Sequence, residues 1–320
     1  MPQRVLITGV TGFAGGYLAE HLLEVGHRVL GTSPDGAWLE TSSQVARDRV
    51  ELVAWDLGSP GGLSDAQRRR IELFGPEVIY HLAAVAVPAD CGTVDPTPLA
   101  VAVNVDGTRR VLQLAASLGP EVRVLFVSSS HVYAPVTATR PTVDEHAPLG
   151  PAGAYGRTKL LAEDEVRRYV NRGGWAVIAR AFQHTGPRQL PPLMLPQWAS
   201  QFACGRGPVL VQTRDAVIDL SDVRDVVRAY RLLLERGRPG LAYNVGSGVP
   251  RRSGEVLELL RRVADPRRAV KELSPGFKQD PIADTARLRQ ATGWRPCIPL
   301  EQTVADTWQW WCRRAGGRAV

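Results

Sequence analysis

Lysine is nearly absent: of 39 basic residues only Lys159, Lys271 and Lys278 are Lys, and the rest are Arg. The formal net charge is still +7, but the basic residues are scattered. The densest runs, Arg68-Arg69-Arg70 and Arg261-Arg262, sit beside acids in helix-like segments and read as solvated faces. A nucleic-acid-binding stripe is therefore not expected. Cysteine is sparse too. Cys91, Cys204, Cys297 and Cys312 have neither metal-ligand nor redox spacing, so no metal site is expected and the thiols suit a reducing compartment. No run approaches the 18 or so consecutive apolar residues of a membrane span. Met1-Pro2-Gln3-Arg4 leads straight into a strand pattern, which leaves no room for a signal peptide and predicts a cytoplasmic protein. There is no internal repeat and no low-complexity tract.

The chain does have material for a large core. It has 320 residues, 44% hydrophobic and 22% charged, enough for two lobes. Val5-Leu6-Ile7 is a short apolar run of the kind buried on both faces of a sheet, and Tyr17, Leu18, Leu22 and Leu23 then recur at helical spacing up to Gly26, a candidate C-cap. The alternation continues. Strands are expected at 27–31, 50–53, 78–80, 122–127 and 175–179, and helices at 65–74, 98–118 and 155–172. This rhythm predicts an α/β fold with a parallel, doubly wound sheet. After Phe182 Pro and Gly thicken, which marks a smaller, irregular lobe. A helix at 222–235 and a strand at 242–245 then suit a return to the sheet. The expected division is 1–182 with 220–248 as the dinucleotide-binding lobe, and 183–219 with 249–320 as a discontinuous C-terminal substrate lobe.

Two features carry chemistry. Thr8-Gly9-Val10-Thr11-Gly12-Phe13-Ala14-Gly15 places three glycines three apart between a predicted strand and a predicted helix. Gly9 permits the tight turn, Gly12 lets the backbone approach a pyrophosphate, and Gly15 lets helix and strand pack closely. Asp56-Leu57 follows the third strand, where an adenine edge would lie. At the end of the second strand stands Ser33, where a ribose-binding acid is usual, with Asp35 just beyond. A small hydroxyl residue admits a 2′-phosphate, yet no Arg is placed to clamp it. NAD and NADP both stay open, with NADP slightly favoured. The second feature is Tyr155-Gly156-Arg157-Thr158-Lys159, which puts Tyr and Lys on one helix face. A nearby ammonium favours the phenolate and is expected to lower the Tyr155 pKa. Ser128-Ser129-Ser130-His131 ends a predicted core strand, where sites form in open α/β sheets. Asn104, inside an apolar helix, either serves near Lys159 or is a satisfied core amide.

Together these segments resemble the extended short-chain dehydrogenase/reductase superfamily, the nucleotide-sugar epimerases, dehydratases and reductases with a Rossmann-type sheet. The matching motifs are TGVTGFAG at 8–15, HLAA at 81–84, NVDGT at 104–108, SSSHVY at 128–133, YGRTK at 155–159, YNVGSG at 243–248 and TGWRP at 292–296. Phe182-Gln183-His184-Thr185-Gly186-Pro187 looks most like the GDP-mannose 4,6-dehydratase and GDP-6-deoxy-4-keto-hexose reductase branch, and Asp222-Val223-Arg224-Asp225-Val226-Val227 like its reductases. The resemblance implies that Tyr155 is the acid–base residue at the sugar C4 oxygen, that Ser129 bonds the same oxygen, and that Lys159 binds the nicotinamide ribose. It implies dinucleotide contacts from Gly9, Thr11, Gly12, Phe13, Ala14, Gly15, Ser33, Asp56, Leu57, Leu82, Ala83, Ala84, Asn104, Val127 and Phe182. Ser130, His131, Gln183, Arg188 and Lys278 would meet a nucleotide-sugar substrate. A homodimer through the helices at 98–118 and 155–172 is implied as well.

The sequence departs from that branch at several positions. His131 stands where the dehydratases carry a Glu base. Ile218 aligns with an Arg beside the diphosphate, and Phe277-Lys278 falls where a second Arg is usual. Three readings follow: a 4-keto-6-deoxy sugar reductase, an epimerase or dehydratase that recycles its dinucleotide, and a dinucleotide-binding protein without catalysis.

Overall fold

The computed structural model describes residues 2–316, so Met1 and the last four residues of the expected substrate lobe lie outside it. In chain order, β1 (Arg4–Thr8) leads into α1 (Phe13–Glu24), β2 (Arg28–Ser33), α2 (Gln44–Arg49), β3 (Glu51–Ala54), α3 (Asp65–Phe74) and β4 (Val78–His81). Next come α4 (Pro98–Val101) and α5 (Gly107–Leu118), then β5 (Arg123–Ser129), β6 (Thr142–Val143), α6 (Ala154–Asn171) and β7 (Trp175–Ala181). The second half contains β8 (Gln183–Thr185), α7 (Met194–Cys204), β9 (Val209–Val211), β10 (Ala216–Asp222), α8 (Val223–Arg236) and β11 (Ala242–Val245). It closes with β12 (Pro250–Arg252), α9 (Ser253–Val263), β13 (Val270–Glu272), β14 (Lys278–Gln279), β15 (Ile282–Ala283), α10 (Ala286–Thr292) and α11 (Leu300–Gly316).

Seven strands form one parallel sheet in the order β11-β7-β5-β4-β1-β2-β3. The chain winds outward from β1 in both directions, so the order reverses between β1 and β4. At such a reversal the flanking loops part and leave a crevice beyond the strand C-termini. Helices cover both faces. Leu18 and Leu22 of α1 join Val226, Tyr230 and Leu233 of α8 against one face. Ile71 of α3, Val111 and Leu114 of α5 and Val166 of α6 pack on the other. Strands covered on both sides need the near-continuous apolar runs that the sequence displays. Outside this sheet, α7, α9 and α11 close over β9 and β10 around Trp198, Ile218, Leu257 and Trp311.

Two local expectations change. The segment 98–118 is not one helix: between α4 and α5 the backbone widens into a π turn at Ala102–Asp106, where Gly107 N–H reaches back to the Ala102 carbonyl. The Asn104 side chain within that turn is fastened elsewhere, to the backbone of Val85. The first helix ends on Val25, and Gly26 follows in the left-handed region with φ of 89°.

Candidate active site

The crevice holds a cavity of about 600 Å³. One end is built by the β1–α1 turn. Gly9 has φ of 70°, and a Cβ there would lie 2.8 Å from the Ala83 backbone, so the turn and the segment after β4 touch main chain to main chain. A Cβ on Gly15 would lie 2.2 Å from the Gly9 carbonyl oxygen. The N–H groups of Gly9 and Val10 both donate to Thr32 O, at 3.0 and 3.2 Å, which pins the turn to β2. No side chain caps α1 at Gly12, so its first-turn N–H groups stay available at the positive end of the helix dipole. Gly9, Thr11, Gly12, Phe13, Ala14 and Gly15 all line the cavity. An uncapped helix start with no side chains in the way fits a pyrophosphate.

Beside this turn lie Ser33, Pro34, Leu39, Trp55, Asp56 and Leu57. Ser33 is buried and donates to Ala37 O at 3.3 Å and Asp35 Oδ1 at 3.4 Å. Asp56 accepts from Gly58 N–H at 2.8 Å. Apolar walls with a few fixed acceptors suit an adenosine.

The other end is where the chain's reactive groups meet. Ser129, the last residue of β5, accepts the His131 N–H at 3.2 Å, and its Oγ lies 3.1 Å from His131 Nδ1. Tyr155 and Lys159 come from the first two turns of α6. That helix passes hard against the 130–132 turn, since a Cβ on Gly156 would sit 2.2 Å from His131 O. The Tyr155 and His131 rings meet edge to face with centroids 5.5 Å apart. Lys159 donates to Val127 O at 2.9 Å and lies over the Phe126 ring.

Burial dominates the proton affinities here. The Tyr155 phenol is pushed up to about 12 by desolvation, against which a Ser129 hydrogen bond pulls down. The expected lowering does not occur in the protein alone, because lost hydration outweighs any nearby charge. Lys159 is brought down to about 8 by burial. Burial also lowers His131, which Asp280 partly offsets.

Of the residues named from the sequence, Leu82, Ala83, Ala84, Val127, Ser129, Ser130, His131, Tyr155, Lys159, Phe182 and Gln183 line the same cavity. Three do not. Asn104 is buried, with Oδ1 accepting from Val85 N–H at 2.8 Å and Nδ2 donating to Val85 O at 3.1 Å and Thr158 Oγ1 at 2.9 Å. It is a satisfied amide that holds the loop after β4. Arg188 turns away to Glu20 of α1, at 2.5 and 3.0 Å, and lies over the Tyr17 ring. Lys278 is exposed and paired to Asp280 at 3.0 Å. Ile218, read as an Arg replacement, is buried among apolar residues. The cavity also takes in His184, from the 182–187 motif, and Trp55, Met194, Leu220 and Tyr230, which carry no signal in the sequence. His184 stacks on Phe13 at 6.1 Å and 9°. Only one cation, Lys159, is among the lining residues described.

The chain's relatives agree with this geometry. The model of the NAD dependent epimerase/dehydratase family matches residues 5–246. GDP-6-deoxy-D-mannose reductase of Pseudomonas aeruginosa is 29% identical over 95% of this chain and 95% of its own length. UDP-glucose 4-epimerase of Mycolicibacterium smegmatis is 31% identical over 95% of this chain and 97% of its own. The solved structure of RMD from Pseudomonas aeruginosa complexed with NADPH superposes with a TM-score of 0.80 at 27% identity, covering 98% of this chain and 99% of that one. A glycine-turn crevice, a Ser-Tyr-Lys set at its far end and these matches lead to one statement: the chain is an NAD(P)-dependent enzyme of the extended short-chain dehydrogenase/reductase superfamily and belongs to the NAD dependent epimerase/dehydratase family.

Proposed function

We propose that the enzyme reduces the C4 ketone of a 4-keto-6-deoxyhexose carried on a nucleoside diphosphate, with GDP as the first choice of carrier. The observation behind this reading is the composition of the reacting end. It holds hydroxyl donors, Ser129 and Tyr155, and a desolvated His131, while the one carboxylate among the described lining residues, Asp56, lies at the adenosine end. Elimination across C5 and C6 needs a base at C5. Burial weakens His131 as a base, and its Nδ1 already faces Ser129. Reduction needs the opposite: a protonated acid beside the oxygen that becomes an alcohol. A phenol held near 12 is protonated at neutral pH and supplies that proton. Ser129 would hold the same oxygen, and Lys159 would orient the nicotinamide ribose. The bound dinucleotide supplies the hydride. The GDP-linked choice rests on the Pseudomonas aeruginosa reductase among the relatives.

Recycling of a retained dinucleotide, as in an epimerase, is the second reading, favoured by the Mycolicibacterium smegmatis relative. Absorbance of reduced nicotinamide separates the two. With GDP-4-keto-6-deoxymannose as substrate, one NADH or NADPH lost per sugar converted is the expected result. Conversion without loss of signal assigns the epimerase cycle, and no conversion overturns both.

The division into a dinucleotide lobe (residues 1–182 and 220–248) and a substrate lobe remains part of this proposal, supported by β11 rejoining the sheet and by the separate core around Trp198. So does a homodimer through α5 and α6, where Leu161 is exposed on α6. The free thiols fit a cytoplasmic location, and among the described residues no helix is long and apolar enough to cross a membrane.

A further inference from the structure

Gln183 opens β8 on the cavity wall, next to Phe182 and His184. Its Nε2 donates to Asp280 Oδ2 at 2.7 Å. Asp280 is fixed in turn: Lys278 Nζ lies 3.0 Å from Oδ1, its N–H donates to Val217 O at 2.9 Å, and its carbonyl accepts from Gln279 Nε2 at 2.8 Å. A carboxylate can only accept, so the NH₂ end of the Gln183 amide must face it. The amide is thereby oriented. Its oxygen, Oε1, has no partner among the described residues and is the end left for a ligand. This is the reverse of what an anionic group requires, since the donor that would meet a phosphate or carboxylate is already used. Asp280 acts on His131 as a negative charge, and Lys278 beside it acts in the opposite sense.

We propose that Asp280 is a positioning residue that sets which sugars the enzyme accepts: it holds Gln183 with its carbonyl oxygen toward the cavity, so the chamber takes a sugar that is uncharged there and rejects one that offers a carboxylate. The inference rests on the reading of the substrate as a nucleotide-linked sugar. Uncharged hexoses and 6-deoxyhexoses are taken, and uronic acids are turned away by an acceptor where their carboxylate needs a donor.

The test is titration calorimetry of dinucleotide-loaded protein with GDP-mannose and with GDP-mannuronic acid. Wild type should bind GDP-mannose at least about tenfold more tightly, the size of a charge-assisted hydrogen bond lost or reversed. Asp280→Asn lets the amide turn over, and the ratio should fall to within about threefold. Gln183→Leu should also collapse the ratio, and adding Asp280→Asn to it should change nothing further, as expected when one residue acts through the other. A ratio preserved in Asp280→Asn overturns the inference. An Asp280→Asn effect undiminished in the Gln183→Leu background overturns the positioning role and leaves only bulk charge. Binding of neither sugar nucleotide to wild type removes the substrate reading, and this inference with it, whereas equal binding of both removes this inference alone.

Discussion

The Lys159 ammonium donates to the Val127 carbonyl across 2.9 Å, and that bond joins the first turns of α6 to the end of β5. Tyr155 lies one helical turn before Lys159, and Ser129 lies two residues beyond Val127. One contact therefore sets the distance between the acid and the hydroxyl that would share a substrate oxygen. The π turn contributes from below, because Asn104 binds Thr158, the neighbour of Lys159 in α6.

Tyr155→Phe removes the proton donor and little else, since the phenol oxygen is not an anchor of the fold. Turnover should fall about 10²- to 10⁴-fold, while dinucleotide affinity stays within about threefold. Steady-state rates together with calorimetric titration of NADH and NADPH check this. Turnover close to wild type in the variant would remove Tyr155 from the chemistry.

Lys159 costs stability at neutral pH. Its folded pKa is near 8, against about 10.4 in the unfolded chain. The unfolded chain therefore binds more protons between those values, so the cost is present in full below pH 8 and fades as the pH rises through that window. Lys159→Met should gain about 1–2 kcal/mol at pH 7 after loss of the Val127 hydrogen bond, and the gain should vanish near pH 10. Activity should be lost throughout. Denaturant melts at pH 7 and pH 10 decide it; a variant less stable than wild type at pH 7 contradicts the burial argument.

Gly15→Ala drives a methyl into the Gly9 carbonyl, which is main chain and cannot rotate aside. The turn must open. We expect a loss of about 1–3 kcal/mol and dinucleotide affinity weakened at least about tenfold, because the first-turn N–H groups no longer converge. Thermal melts with and without NADH measure both. An unchanged dinucleotide Kd would mean that the pyrophosphate is held elsewhere.

Asn104→Ala separates scaffold from ligand contact. It strips the partner from Val85 N–H and leaves the Val85 carbonyl only the Cys91 thiol, which should cost about 1–3 kcal/mol. Dinucleotide affinity should move less than about threefold, as Asn104 does not reach the cavity. A weakened Kd at unchanged melting temperature would return Asn104 to the binding site.

Much of this is legible in the sequence. Strand and helix alternation is written in apolar runs and helical spacing, and the glycine turn identifies itself because Gly9 and Gly15 have no room for a side chain. Ser129, Tyr155 and Lys159 were legible because they follow strand and helix termini that the pattern already places. What stayed hidden depends on long-range approach. Arg188 is expected at the substrate, yet Glu20, 168 positions earlier, takes its charge. Asp280 carried no motif and meets Gln183 only because β14 and β8 both lie alongside β10. The Tyr155 pKa went the other way because burial cannot be counted along a sequence. Asn104 read as a helix oddity, and only a widened turn lets its amide face a loop 19 positions away.

The place of β11 at the border of the main sheet has a consequence for synthesis. A ribosome delivers β7 more than 60 residues before β11, and until then β7 presents open N–H and C=O groups along one side. Unpaired edges of this kind recruit other strands. A nascent chain stopped near residue 200 should therefore be the species that chaperones hold and that aggregates when they are scarce.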